Sequence, residues 1–318
     1  MQTNSPKHFI YGGYFKIHEL NMFIEQAKKE NFRFLSYLPI PVFFLTLMVA
    51  NYIMAADVDT DEAIHQSIAA IGENLTFVML IIPLSVACLF LWGWVKIIHH
   101  QSITSLTTSR PKVDWGRIFF SFGLWAGLSV AMTLAVYFSS PENFKINFQL
   151  GPFLTFFILA IILIPLQTSF EEYLFRGYMM QGIGVVTRSR LIPLLITSIM
   201  FGLMHIANPE VGKMGYVILI YYIGTGFFLG IITLMDEGLE LALGFHAANN
   251  LVGALLVTSD WTAFQTHSIL KDMSEPTAGF DVILPVFVIF PILLYIFSKK
   301  YQWKNWKEKL TGKIVFEK

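Results

Sequence analysis

Three short groups of ionisable and amide side chains interrupt otherwise apolar stretches of this sequence. They are Glu171-Glu172 with Arg176, Phe201 with His205, and His246 with Asn250. A carboxylate beside a histidine can act as a general base that removes a proton from water. Imidazole and amide N–H groups can stabilise the oxyanion that forms when water attacks a carbonyl group. Ionisable side chains within apolar helices are costly and usually mark function, so the three groups indicate a functional site assembled from distant parts of the chain.

Helical spacing divides the roles of the two neighbouring carboxylates. Glu172 and Arg176 are four residues apart, in the order that favours an ion pair on a helix. Glu171 points about 100° away from Glu172 around the same helix. Glu172 is thus predicted to be neutralised, while Glu171 stays available for chemistry. His246 and Asn250 are also four residues apart and share one helix face.

A helical hairpin is the arrangement that would bring the first two groups together. If the helix that carries Glu171 continues to about residue 186, the turn centres near Arg188, which is 17 residues from both Glu171 and His205. His246 lies about 12 Å from the start of its own predicted helix, whereas His205 falls near the far end of its apolar segment. Both histidines can meet Glu171 only if the turn projects beyond the membrane or the helix before His205 is short.

The elements that must position this site are membrane helices. Of the 318 residues, 55% are hydrophobic and 14% are charged, and the mean hydropathy is +0.58. Soluble domains carry about a quarter charged residues, so this composition excludes a disordered chain, a coiled coil and an ordinary soluble enzyme. Segments long enough to cross a membrane are predicted at 34–56, 75–97, 118–138, 150–169, 191–208, 214–235, 239–258 and 282–298. We therefore predict an all-α, polytopic integral membrane protein with about eight transmembrane helices that enclose an intramembrane catalytic cavity.

The distribution of basic residues predicts the orientation of these helices. Most of the 22 Lys and Arg residues fall in both terminal segments and in the loops on one side, while the other side holds Lys145, Lys213 and Lys271. The positive-inside rule then places both termini in the cytoplasm, and we expect the protein to lie in the plasma membrane of a bacterium.

The net charge bears on the expected partners. Acidic residues also number 22, so there is no basic excess that would suggest binding to nucleic acid, and membrane lipids are the expected partners.

Three parts of the chain are distinguished by composition. Residues 1–33 form an amphipathic segment whose apolar positions from Tyr14 to Ala27 predict a helix on the cytoplasmic membrane surface. Residues 34–298 form the membrane domain, and residues 299–318 form a basic and aromatic tail expected to anchor at lipid headgroups. Glycines in the sixth predicted helix favour close helix packing; they are Gly224, Gly226 and Gly230.

With these three groups, residues 150–258 resemble the CPBP family of intramembrane proteases, which includes the type II CAAX prenyl endopeptidases. The family pattern is Glu-Glu-x-x-x-Arg, then Phe-x-x-x-His, then His-x-x-x-Asn, and all three parts are intact here. The resemblance identifies residues 150–258 as the protease core. It assigns water activation to Glu171 and His205, oxyanion stabilisation to His246 and Asn250, and a supporting role to Glu172 and Arg176.

No cofactor is expected for this chemistry. The chain lacks the His-Glu-x-x-His zinc motif, Asn250 is a poor zinc ligand, and a glutamate mechanism without metal uses all four catalytic residues. The family is, however, often described as metalloproteases. The alternative is a zinc ion bound by Glu171, His205 and His246.

The resemblance implies an endopeptidase that acts on a peptide or protein substrate. A prenylated carboxy-terminal CAAX sequence is one candidate, and a bacteriocin-like or other membrane peptide is the other. The competing interpretation is a non-proteolytic membrane scaffold or immunity factor that retains the motifs for structure.

Overall fold

The computed structural model describes residues 22–28, 32–55, 60–277 and 279–316. These residues form a helical protein. Its α-helices, α1 to α14, are Pro39–Ala55, Thr60–Ile71, Glu73–Ile98, Ile103–Thr107, Trp115–Ser139, Leu150–Glu172, Met180–Thr187, Leu191–Leu203, Pro209–Met214, Leu219–Asp236, Glu240–Leu256, Phe280–Leu284, Phe290–Tyr301 and Trp306–Thr311. Its strands, β1 to β3, are Phe144–Ile146, Val257–Thr258 and Leu270–Asp272. Two π-helical segments, Tyr173–Met179 and Pro285–Ile289, join α6 to α7 and α12 to α13.

Six helical segments of the described chain are long and apolar enough to cross a membrane. They are Phe34–Met54, Glu73–Ile98, Trp115–Ser139, Leu150–Thr187, Tyr216–Asp236 and Val282–Tyr301. The fold class is therefore confirmed as an all-α polytopic membrane protein, but the count of eight is not. The fifth predicted span contains α8, which has only 13 residues and rises about 20 Å. The seventh contains α11, which has 17 residues and carries two residues of the predicted site, His246 and Asn250.

The fourth predicted span is longer than its apolar stretch suggests. It was expected to end at residue 169, but the helix continues through α6, the π-helical segment and α7 to Thr187. Arg188 then takes a left-handed conformation with φ 52° and ends the helix, and α8 begins at Leu191. The turn of the helical hairpin therefore lies where the spacing of Glu171 and His205 placed it.

Glycines let two pairs of helices approach closely. A Cβ atom at Gly226 in α10 would clash with the backbone of Ser198 in α8, and one at Gly244 in α11 would clash with the carbonyl oxygen of Ile118 in α5. Gly224 and Gly230 likewise face side chains that a Cβ would contact. The prediction of close packing along the sixth span is confirmed. These contacts hold α10 against α8 and α11 against α5.

A small three-stranded sheet, in the order β1-β3-β2, was not predicted. β1 pairs antiparallel with β3, and β2 pairs parallel with β3. Strands of two or three residues are too short to show a period of hydrophobicity. The sheet ties the segment after α5 to the end of α11, which carries part of the site.

The described parts of both terminal segments are packed within the protein. Ile24 and Ala27, predicted to face lipid, are instead buried in a short 3₁₀ turn that packs against α7. The rest of that amphipathic prediction falls on residues 1–21, outside the described residues.

In the carboxy-terminal tail, Trp303 is buried and its Nε1–H donates to Asp236 at 3.1 Å. This indole therefore holds the tail to α10, whereas a headgroup anchor was expected.

Candidate active site

The four predicted catalytic residues line one cavity of about 610 Å³. Glu171 comes from α6, His205 from the turn after α8, and His246 and Asn250 from α11. Glu171 is 2% exposed and His246 is 5% exposed. Four residues from three separate segments thus face a common space.

The predicted ion pair between Glu172 and Arg176 is present and buried. Arg176 Nη1 lies 3.0 Å from Glu172 Oε1, and neither side chain has exposed surface. Arg176 Nη2 also donates to the carbonyl oxygen of Gly226 at 3.1 Å, and the guanidinium carbon lies 4.1 Å from the centre of the Phe201 ring. The π-helical segment begins directly after Glu172, and such segments are frequent at functional sites. Arg176 therefore links α6, α8 and α10.

Glu172 has a second partner that the sequence did not indicate. His246 Nδ1 lies 2.8 Å from Glu172 Oε1. Because an ionised carboxylate only accepts hydrogen bonds, Nδ1 carries the proton. The Nε2 atom of His246 then points toward Glu171, with 3.7 Å between Nε2 and Glu171 Oε2. That separation is too long for a direct hydrogen bond and leaves both atoms able to bond a third group.

The two oxygens of Glu171 have different environments. Oε1 accepts a short hydrogen bond from Gln167 Nε2, one helical turn earlier. Oε2 is buried and accepts no hydrogen bond within the described residues. The carboxylate is therefore oriented through one oxygen, while the other has no hydrogen-bond partner among the described residues. These are the features that a general base requires.

His205 lies just beyond the end of α8 at Leu203. Its Nδ1 bonds the carbonyl oxygen of Phe201 at 2.9 Å, so Nδ1 carries the proton and Nε2 of a neutral ring carries a lone pair. The ring stacks on Tyr222, with centroids 4.3 Å apart and an angle of 11°. Phe201 lies 5.2 Å from the His205 ring and 5.7 Å from the His246 ring. The helix before His205, α8, is short, as was required for His205 and His246 to lie at the same depth. Both histidine rings flank the Phe201 ring.

Two amide side chains that the sequence analysis did not assign complete the hydrogen-bond network. Gln167 Oε1 accepts from Asn250 Nδ2 at 3.3 Å, so Gln167 connects Asn250 with Glu171. Asn249 Nδ2 donates to Asn250 Oδ1 at 3.0 Å, and Asn249 Oδ1 accepts from Trp125 Nε1 at 3.1 Å. The sequence signal for these two residues was that each is a polar amide in an apolar helix. Neither belongs to one of the three motifs, so the sequence did not indicate which residue it would bond.

The zinc alternative was compared with the geometry of these side chains. Within the described ranges, no group of three or more His, Cys, Asp or Glu side chains is arranged to hold a metal ion. Glu171, His205 and His246 therefore do not form a preassembled ligand set. The absence of a cofactor stays a prediction.

The fold is that of a helical membrane protein with a cavity lined by Glu171, His205, His246 and Asn250. Residues 150–252 match the family model of the type II CAAX prenyl endopeptidases, described as Rce1-like. The match extends from α6 into α11 and contains every predicted site residue, which confirms the family resemblance for this segment.

One curated relative is the protein named "Uncharacterized protein YyaK" from Bacillus subtilis (strain 168). It is 33% identical over 168 residues, which cover 52% of this chain and 56% of the relative. The alignment thus spans about half the length of each protein. No solved structure matches the chain.

Proposed function

We propose that this protein is an intramembrane endopeptidase that hydrolyses a peptide bond without a covalent intermediate. The proposal rests on one observation: Glu171, His205, His246 and Asn250 line the same cavity, and one Glu171 oxygen has no hydrogen-bond partner among the described residues. The family match over residues 150–252 supports the same chemistry.

Water activation falls to Glu171 and His205. Glu171 Oε2 or His205 Nε2 takes one proton from a water molecule, whose oxygen attacks the carbonyl carbon of the scissile bond. Both atoms have a lone pair available, because the other polar atom of each side chain is already held by Gln167 or by the Phe201 carbonyl. When the tetrahedral intermediate collapses, the C–N bond breaks and the abstracted proton goes to the leaving amine.

Oxyanion stabilisation falls to Asn250 and His246. Asn250 Nδ2 has two hydrogens, and only one is used by Gln167. His246 Nε2 donates when it carries a proton in addition to that on Nδ1, which Glu172 accepts. A donor aimed at a developing oxyanion is worth about 3–4 kcal/mol. The proposed mechanism needs no metal, and zinc held by Glu171, His205 and His246 is its alternative.

The proposed substrate is a peptide or protein segment that reaches the cavity from the membrane or the cytoplasm. A prenylated CAAX terminus and a bacteriocin-like or other membrane peptide are the two substrate classes. The proposed setting is a bacterial plasma membrane, with lipid as the surrounding partner and both termini in the cytoplasm.

The test uses the full chain reconstituted in phosphatidylcholine vesicles and a defined pool of peptides analysed by mass spectrometry. Glu171→Gln should abolish cleavage, because an amide cannot accept the proton of water, while membrane insertion and melting temperature stay the same. Glu142→Gln is the matched control, since Glu142 is exposed in the 3₁₀ turn Pro141–Asn143. Dialysis against a chelator should leave activity unchanged, and a loss restored by zinc would favour the metal alternative. Cleavage by the Glu171→Gln variant would contradict the proposal.

A further inference from the structure

We propose that Glu210 forms a subsite that binds a lysine or arginine side chain of the substrate beside the scissile bond. The inference rests on the proposed endopeptidase function and names a chemical feature of its substrate. Glu210 is the second residue of α9, which follows the turn that carries His205. It lines the same cavity as Glu171 and both site histidines.

The Glu210 carboxylate is held by one oxygen and unpartnered at the other. Oε1 accepts the backbone N–H of Ala263 at 2.9 Å. Oε2 is buried and accepts no hydrogen bond from the described part of the chain. A buried carboxylate oxygen without a partner is costly. A donor that enters the cavity with a substrate would remove that cost.

The charges that line the cavity are unbalanced. Its described lining contains two carboxylates, Glu171 and Glu210, and no lysine or arginine. The buried Arg176 does not reach the lining and is already paired with Glu172 at 3.0 Å. His246, which can carry a second proton, lies 3.7 Å from Glu171, whereas the described lining has no lysine or arginine to balance the Glu210 carboxylate.

Among the described residues, the groups that act on the Glu210 carboxylate include no cation. Asp61 lies near enough to raise the pKa of Glu210 further, although burial is the largest cause of the rise above the ordinary value of 4.5. Lys213 is the nearby base, but its Nζ lies 2.7 Å from Asp61 Oδ2. Tyr222, which also lines the cavity, is a phenol with no charge to contribute at neutral pH. A substrate cation would stabilise the ionised form of Glu210.

This arrangement discriminates between the two proposed substrate classes. A cationic side chain would be attracted to the Glu210 end, whereas a free carboxy terminus placed there would be repelled by the carboxylate. The subsite therefore favours an internal bond near a basic residue over release of a short carboxy-terminal peptide.

The experiment compares peptides that differ at one position next to the cleaved bond: lysine, the uncharged norleucine of similar length, and glutamate. The wild-type protein should cleave the lysine peptide with kcat/KM about tenfold above the norleucine peptide, the effect expected for one hydrogen bond to a charged group. Glu210→Gln should remove that preference. Its amide oxygen can still accept the Ala263 N–H, so the variant keeps the fold. Glu142→Gln should leave the preference unchanged.

A binding measurement separates failure of the subsite from failure of the enzyme. Fluorescent versions of the same three peptides are titrated against the Glu171→Gln protein, with and without Glu210→Gln. A lysine preference in binding that depends on Glu210 supports the subsite even when no peptide is cleaved. Cleavage or binding that ignores the residue change, or that favours glutamate, overturns the subsite while leaving the hydrolytic proposal intact.

Discussion

Gln167 shows how a single residue can align two groups of the proposed site. Its amide donates to Glu171 and accepts from Asn250, so the proposed base and one proposed oxyanion donor share a single orienting side chain. It is a positioning residue, because it acts through these two neighbours.

We expect Gln167→Met to lower kcat up to about a hundredfold, the size of effect that a misplacement of about 1 Å can have. KM should change little, since the cavity keeps its volume. Steady-state kinetics in vesicles measures both values. Gln66→Met is the control, because Gln66 is exposed on α2. A large rise in KM at constant kcat would contradict a positioning role.

The sequence analysis predicted the location of the candidate site better than its internal bonds. The helical spacing placed Glu172 beside Arg176, and the hairpin brought Glu171 and His205 to one cavity. The bond from Glu172 to His246 crosses 74 residues of sequence and depends on how α6 packs against α11. Spacing along one helix carries no information about such a contact.

Among the elements, the close approach of α8 and α10 depends on Gly226. Its missing side chain lets the backbone of Ser198 come near, and its carbonyl oxygen accepts from both Ser198 Oγ at 3.0 Å and Arg176 Nη2 at 3.1 Å. The glycine therefore serves the packing of two helices and the position of the buried guanidinium.

Gly226→Ala should destabilise the protein by about 1–3 kcal/mol, the usual cost of overpacking, and should reduce activity by displacing Arg176. The melting temperature of the purified protein and its cleavage rate test both effects. Gly127→Ala on α5 has open space around the new Cβ and should be neutral or slightly stabilising. Equal melting temperatures for both variants would contradict the packing argument.

The apolar runs of the sequence predicted most helix positions to within a few residues. They did not predict where the helix that begins with α6 ends, or that it contains a π-helical segment. The continuation of α6 to Thr187 passes through a motif rich in charge, where plain hydropathy ends the span at residue 169. The π-helical segment has the composition of an ordinary helix. Both features depend on the buried partners that Glu172 and Arg176 find in the folded protein.

In the molecule as a whole, the described part of the amino-terminal segment docks on the helical hairpin of α7 and α8. Glu25 Oε1 lies 2.6 Å from Arg190 Nη2, and the Phe23 N–H donates to Glu237 Oε2 at 2.7 Å. Lys309 from the tail lies 3.4 Å from Glu237 Oε1. Burial raises the pKa of Glu25 above its ordinary value of 4.5, against the opposing effect of Arg190.

The docking should therefore weaken as the pH rises. A raised folded pKa contributes stability that is fully present below the ordinary value and is lost as the pH rises through the raised value. Hydrogen exchange of residues 22–28, corrected for the intrinsic rate, should show stronger protection at pH 4.5 than at pH 7.5. Glu25→Gln should flatten this dependence. Protection that increases with pH in the wild-type protein would refute the assignment.

The hairpin turn also has a consequence for the order of events during synthesis. The Ile314 N–H donates to the Arg188 carbonyl at 2.9 Å, and the Arg190 N–H donates to the Gly312 carbonyl at 3.1 Å. Translation delivers these tail residues only after every helix that carries a site residue has left the ribosome. A nascent chain stopped at residue 302 would contain all four candidate site residues and lack the backbone partners of the turn. The turn can therefore close only late in synthesis, after the helices of the candidate site have been made.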